Sequence, residues 1–219
     1  MTKKFRNRIE AGQMLAKHLT AYANRTDVLV LGLPRGGVPV AFEVAKALNV
    51  PLDICLVRKL GVPAHEELAM GAIASGGVRV LNSEVVDSLG IDRRTIDEVA
   101  TQELQELQRR DRAYRGDRPH APVKNRTVIL IDDGIATSST IRAAIAVLRS
   151  QQAQQIVVAV PVAPATTCEQ LRAEVEEVIC LTTPEPMYAI GLWYKDFSQT
   201  SDEEVRDLLA KRSAVISNK

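Results

Sequence analysis

The sequence predicts an α/β fold, a mostly parallel β-sheet covered by helices on both faces. Three observations predict it. Six short runs rich in Val, Ile and Leu punctuate the chain, at 28–34, 53–59, 78–82, 127–132, 156–162 and 177–183. They do not alternate apolar with polar residues, which is the pattern of strands buried on both faces. Helical stretches fall between them, so the chain reads as successive strand–helix–strand units with right-handed crossovers, in the Rossmann-like manner.

The elements follow in order. A helix is expected over 7–23, then the strand "VLVLGLP" and a helix over 37–48. "DICLVRK" (53–59) and "VRVLN" (78–82) are the next two strands. A helix at 92–114 carries one narrow apolar stripe, Ile96, Val99, Ala100, Leu104 and Leu107, on an otherwise charged surface. It breaks into "RRDRAYRGDRPHAPVKNR", a basic stretch with little to bury. Residues 83–126 therefore read as a helical, basic and flexible insertion, or else as a solvated surface helix with a linker. "TVILID" (127–132) precedes a helix at 139–151, "IVVAVPV" (156–162) a helix at 165–175, and "EVICLTT" (177–183) closes the sheet. Residues 184–219, with a helix at 202–212, form a C-terminal hood or contact segment on a single domain spanning 1–219.

Composition narrows the function. A net charge of +1 argues against wholesale nucleic-acid binding, although 109–126 is a local basic patch. The three cysteines, Cys55, Cys168 and Cys180, are far apart and lack zinc spacing. Their odd number suits a reducing cytosol. No apolar leader and no membrane-length apolar run is present, so a cytoplasmic location is expected.

The chemistry concentrates in "VILIDDGIATSST". In an open parallel sheet, ligands bind beyond the carboxyl ends of strands. Asp132 and Asp133 stand at such an end. The loop behind them enters a helix, where free N–H groups and the helix dipole favour an anion. Capping would explain one hydroxyl there, but four follow one another: Thr137, Ser138, Ser139 and Thr140. No Walker A loop or GxGxxG occurs. The two acids are adjacent, so they point in opposite directions on a strand, which disfavours an aspartyl-phosphate arrangement.

From Val128 to Thr140 the stretch closely resembles the phosphoribosyl-diphosphate (PRPP) motif of type I phosphoribosyltransferases. More broadly, the chain is similar to a bacterial group of phosphoribosyltransferases whose acceptor is not obvious. The resemblance implies the fold of that family, with a small hood and a helical insertion. It implies catalytic roles for Asp132 and Asp133, on the ribose 2′- and 3′-hydroxyls. It places the 5′-phosphate on Ala136, Thr137, Ser138, Ser139 and Thr140. Ser138 and Ser139 stand where the family often has glycine, so a positive φ there would be strained.

Other segments resemble the family's remaining parts. "LPRGG" is similar to its diphosphate loop, through Arg35, Gly36 and Gly37; that loop often holds a non-proline cis peptide, expected here at Pro34–Arg35 or Arg35–Gly36. "VRKLGVP" resembles a stretch of the adenine and orotate enzymes, which implies diphosphate contacts for Arg58 and Lys59. Glu67 is a candidate proton acceptor. Tyr114 and Arg115 are candidates for a flexible loop that closes over the donor. Tyr188 or Trp193 would stack on a base, with Asp196 toward metal; the same aromatics would equally make a small core or dimer contact. The implied cofactor is Mg2+, and the implied partners are PRPP and an unidentified base, with a homodimer by analogy. The implied reaction is transfer of ribose 5-phosphate from PRPP to a nitrogenous base with release of diphosphate. The alternative is a non-catalytic PRPP- or nucleotide-sensing regulator on the same fold.

Overall fold

A computed structural model describes residues 4–217. Five parallel strands form the central sheet: β1 (Val28–Gly32), β2 (Leu52–Ile54), β6 (Thr127–Ile131), β7 (Gln155–Val162) and β8 (Glu177–Thr182). Their spatial order is β2-β1-β6-β7-β8. The helices are α1 (Arg8–Ala16), α2 (Gly37–Leu48), α3 (Ser83–Leu89), α4 (Arg93–Arg115), α5 (Ser139–Ser150), α6 (Ala165–Arg172) and α7 (Asp202–Ser217).

Two apolar layers explain why the strands carry no alternation. Val28, Val30, Ile129 and Ile131 point into one layer with α1, α2, α4 and α7. Leu29, Leu31, Val128 and Leu130 point into the other, with α5 and α6. Each strand is apolar on both faces because each face is covered. The expected stripe on α4 faces the first layer: Ile96, Ala100 and Leu107 are buried there, with Val99 and Leu104 packed beside them. None of the described helices is long and apolar enough to cross a membrane.

Three expectations need correction. The run 53–59 is two strands, not one. β2 ends at Ile54, and β3 (Val57–Val62) leaves the central sheet to pair antiparallel with β4 (His65–Ala74). β5 (Arg79–Leu81) completes this second, three-stranded sheet and so does not join the parallel one. β4 escaped sequence reading because its first half, "HEEL", is fully solvated and lacks apolar periodicity. At the other end of the chain, α1 stops at Ala16; only a short 3-10 turn, Thr20–Tyr22, follows where a longer helix was expected. The third correction concerns the basic stretch: α4 runs on through Tyr114 and Arg115, and α3 precedes it.

Candidate active site

The sheet order places the topological reversal between β1 and β6. The chain steps from β1 out to β2, and later from β6 the opposite way through β7 to β8. Ligand crevices in open α/β sheets form at that reversal, beyond the strand ends. β1 runs there into Pro34, Arg35, Gly36 and Gly37, and β6 into Asp132 and Asp133.

The two strand ends touch. A β-carbon at Gly36 would lie 2.0 Å from Asp133 Oδ2, and one at Gly37 would lie 2.7 Å from the Ile131 carbonyl and 2.9 Å from Asp132 Cα. Only glycine fits against the acids at either position. Gly36 has φ −63°, so its requirement is space and not backbone freedom. The Pro34–Arg35 peptide is cis, at one of the two bonds singled out from the sequence.

The acid pair is packed tightly. Asp133 is buried and Asp132 is half-buried. Burial, and then the neighbouring Asp133 charge, push the Asp132 carboxyl well above its ordinary value. Burial also raises Asp133, while the Arg8 guanidinium pulls it back. Arg8 Nε donates to Asp133 Oδ2 at 2.8 Å, and Nη2 lies 2.7 Å from the same oxygen. The Asp133 amide donates to Asp132 Oδ1 at 2.8 Å, and the Tyr194 hydroxyl donates to the Asp133 carbonyl at 2.6 Å.

Behind the acids, Ala136–Thr140 lead into α5, with Ser138 as N-cap. The Ser138 hydroxyl makes no capping bond to the helix. Capping therefore does not account for this hydroxyl, and the first turn of α5 keeps its dipole open toward an anion. Ser138 has φ −79°, and no residue from Ala136 to Thr140 has positive φ. Of the two alternatives for the double serine, the structure has the unstrained one, because the loop enters the helix through right-handed backbone.

Thr140 and Pro34 line a cleft of about 770 Å³ together with Arg58 and Lys59 of β3, and Glu103 and Arg110 of α4. A second cavity, of about 370 Å³, lies beside it under Ser138 and Ser139; the two share Lys59, Glu67 and Ala143. The second sheet thus carries Arg58 and Lys59 to the Ala136–Thr140 loop. Each candidate cation already has a carboxylate partner: Arg35 with Asp202 at 3.2 Å, Arg58 with Glu103 at 2.5 Å, and Lys59 with Glu67 at 3.6 Å. Glu67 is fully exposed.

Other candidates stand elsewhere. Tyr114 and Arg115 were expected on a flexible closing loop; they are buried in the last turn of α4. Arg115 pairs with Asp53 and Asp111, and the Tyr114 hydroxyl donates to Asp202. They hold the fold. Tyr188 is 82% exposed and lines neither cavity. Trp193 packs in a small cluster with Phe5, Ala11, Val162 and Tyr194. Asp196 is exposed and accepts from the Ser198 amide at 3.0 Å, which holds its carboxyl below the usual range. Among the described residues no cluster of three or more His, Cys, Asp or Glu has the arrangement of a metal site.

Arg8, Asp202, Glu103 and Tyr194 escaped the sequence reading. A buried acid pair demands a cation, but no local pattern names which one: Arg8 and Asp133 are 125 residues apart.

Comparisons with known proteins show the family and the fold. Residues 3–191 match the phosphoribosyl transferase domain. Two Mycobacterium tuberculosis proteins named "Putative phosphoribosyl transferase", Rv0571c and MT0597, are each 48% identical over 203 residues, which is 93% of this chain and 46% of theirs. The chain thus spans about half the length of the curated relatives it matches. The crystal structure of TT1426 from Thermus thermophilus has a TM-score of 0.88 at 40% identity, covering 95% of this chain and 99% of that one. AQ2163 from Aquifex aeolicus shares the fold, with a TM-score of 0.50 at 13% identity over 92% of this chain and 84% of its own. With residues 3–191 matched and its acid pair, glycine turn and hydroxyl-rich loop gathered at the sheet's reversal, the chain belongs to the phosphoribosyl transferase domain family.

Proposed function

We propose that the protein transfers ribose 5-phosphate from PRPP to a nitrogenous base or a related nitrogen nucleophile, releasing diphosphate. The observation that carries this reading is the contact between Gly36 and Gly37 and the acid pair, with an anion-ready helix start behind it. A donor with a phosphate at one end, a diol in the middle and a diphosphate at the other fits that order of groups.

In this reading the Ala136–Thr140 loop holds the 5′-phosphate by N–H and hydroxyl groups. Asp132 and Asp133 hold the ribose hydroxyls and offset the positive charge that develops as the C1–O bond to diphosphate breaks and a C1–N bond forms. Arg35, Arg58 and Lys59 hold the diphosphate, each leaving its carboxylate partner as the anion arrives. Bound with the substrate, magnesium would supply a hard cation that offsets the charge of the diphosphate. Asp196, exposed and accepting from the Ser198 amide, lines neither cavity, so it takes no part in this reading. The protein acts in the cytoplasm as a homodimer. Ser138 and Ser139 keep negative φ, as a loop that holds phosphate without strain requires, and this favours the transferase over the regulator reading.

The test is diphosphate release from PRPP with magnesium and a panel of bases. Turnover with one acceptor, abolished in a folded Asp133→Ala protein, is the expected result. PRPP binding without turnover on any acceptor would refute the transferase reading.

A further inference from the structure

We infer that Arg8 is a positioning residue: it sets the Asp133 carboxylate from outside the sheet and ties it to the C-terminal segment. The inference rests on the transferase reading for its consequence, but its geometry is independent of it.

Arg8 sits at the start of α1, on an element that carries no part of the recognised motifs. Its side chain is nonetheless only 11% exposed, and so is that of Asp133. Every polar arm of the guanidinium is used. Nε and Nη2 converge on Asp133 Oδ2, and Nη1 donates to the Ser198 carbonyl at 2.7 Å. The plane of the group lies 3.9 Å from the centre of the Phe197 ring, a cation–π contact. Phe197 in turn packs on Tyr194, whose hydroxyl holds the Asp133 carbonyl. Asp133 is therefore gripped at its side chain by Arg8 and at its backbone by Tyr194, and both grips belong to one cluster.

A structural ion pair alone does not require this arrangement. Both nitrogens approach the same carboxylate oxygen, Oδ2. Oδ2 is also the atom against which Gly36 packs, and a β-carbon there would lie 3.1 Å from Arg8 Nε. Arg8, the glycine turn and the acid thus meet at one oxygen. The turn keeps its place over the acid only while that oxygen does. A lysine would supply charge but not three directed donors in a plane.

The experiment titrates magnesium–PRPP into wild type, Arg8→Ala, Arg8→Lys and Asp133→Asn by calorimetry, with and without ethylguanidinium. Arg8→Ala should bind about tenfold more weakly or worse, the scale of a lost charged hydrogen bond. Ethylguanidinium should restore much of the loss in Arg8→Ala and none in Asp133→Asn, and Arg8→Lys should fall between. Unchanged affinity in a folded Arg8→Ala protein would overturn the inference, as would a loss that ethylguanidinium leaves in place while Arg8→Lys binds normally. If wild type itself does not bind PRPP, the transferase reading is what fails. The thermal-unfolding cycle of Arg8→Ala and Asp133→Asn then decides the positioning claim: strong coupling upholds it and additivity overturns it.

Discussion

Gly36 and Asp133 are in contact at the crevice between β1 and β6, with no room for a side chain between them: a β-carbon on Gly36 would stand 2.0 Å from Asp133 Oδ2. The turn after β1 and the acid pair after β6 are thereby locked into one surface. Gly36→Ala must move either the turn or the acid. Because the backbone of Gly36 is ordinary, the cost is steric, about 1–3 kcal/mol of stability for overpacking. Diphosphate release should fall as well, since the Asp133 oxygen is displaced. Chemical denaturation and the release assay measure the two effects, and wild-type values in both would contradict the contact.

Asp132 gives a pH-dependent prediction. Its carboxyl is raised by burial and by the Asp133 charge, so the folded state binds a proton more tightly than the unfolded chain. Stability from this group is complete below the unfolded carboxyl value of about 3.9 and is lost as pH climbs through the higher folded value. Asp132→Asn mimics the protonated form and keeps an Oδ1 acceptor for the Asp133 amide. It should therefore melt higher than wild type at pH 8 and nearly equal to it at pH 4, while losing turnover. The same difference in melting temperature at both pH values would contradict the raised carboxyl.

Arg35 is paired with Asp202, whose Oδ1 also accepts from Tyr114. Both partners of the ion pair are more than one-third exposed, so the pair is worth about 0–1 kcal/mol. Asp202→Asn should leave the melting temperature almost unchanged and lower the KM for PRPP by up to about fivefold, the same energy expressed as affinity. Initial-rate kinetics at varied PRPP will show it; a raised KM would mean that Asp202 aids binding.

Arg115 separates a structural role from a lid. It is buried between Asp53 and Asp111, and Asp53 also accepts from the Ala121 amide at 2.9 Å. Arg115→Met leaves Asp53 as a buried charge without its cation, which costs about 3–5 kcal/mol. Urea unfolding should record that loss, while the KM for PRPP in the surviving folded protein stays near wild type. Full stability with a raised KM would restore the lid.

What the sequence determined by itself was everything carried by neighbours along the chain. The unalternating strands followed from burial on both faces. Asp132 and Asp133 fell at a strand's carboxyl end because the apolar run stops at Ile131. The Ser and Thr loop was legible because α5 begins directly behind it, and the glycine turn because β1 ends directly before it. The tertiary structure decided the partners. Which cation neutralises Asp133, which carboxylate restrains Arg35, and whether Tyr114 and Arg115 move or are buried depend on contacts across 125, 167 and 62 residues. Charge attraction has no sequence period, so such pairs leave no pattern to read. The same holds for "HEELAMGAIA": solvated at one end, it becomes a strand because Val57–Val62 folds back to meet it on one side and Arg79–Leu81 on the other.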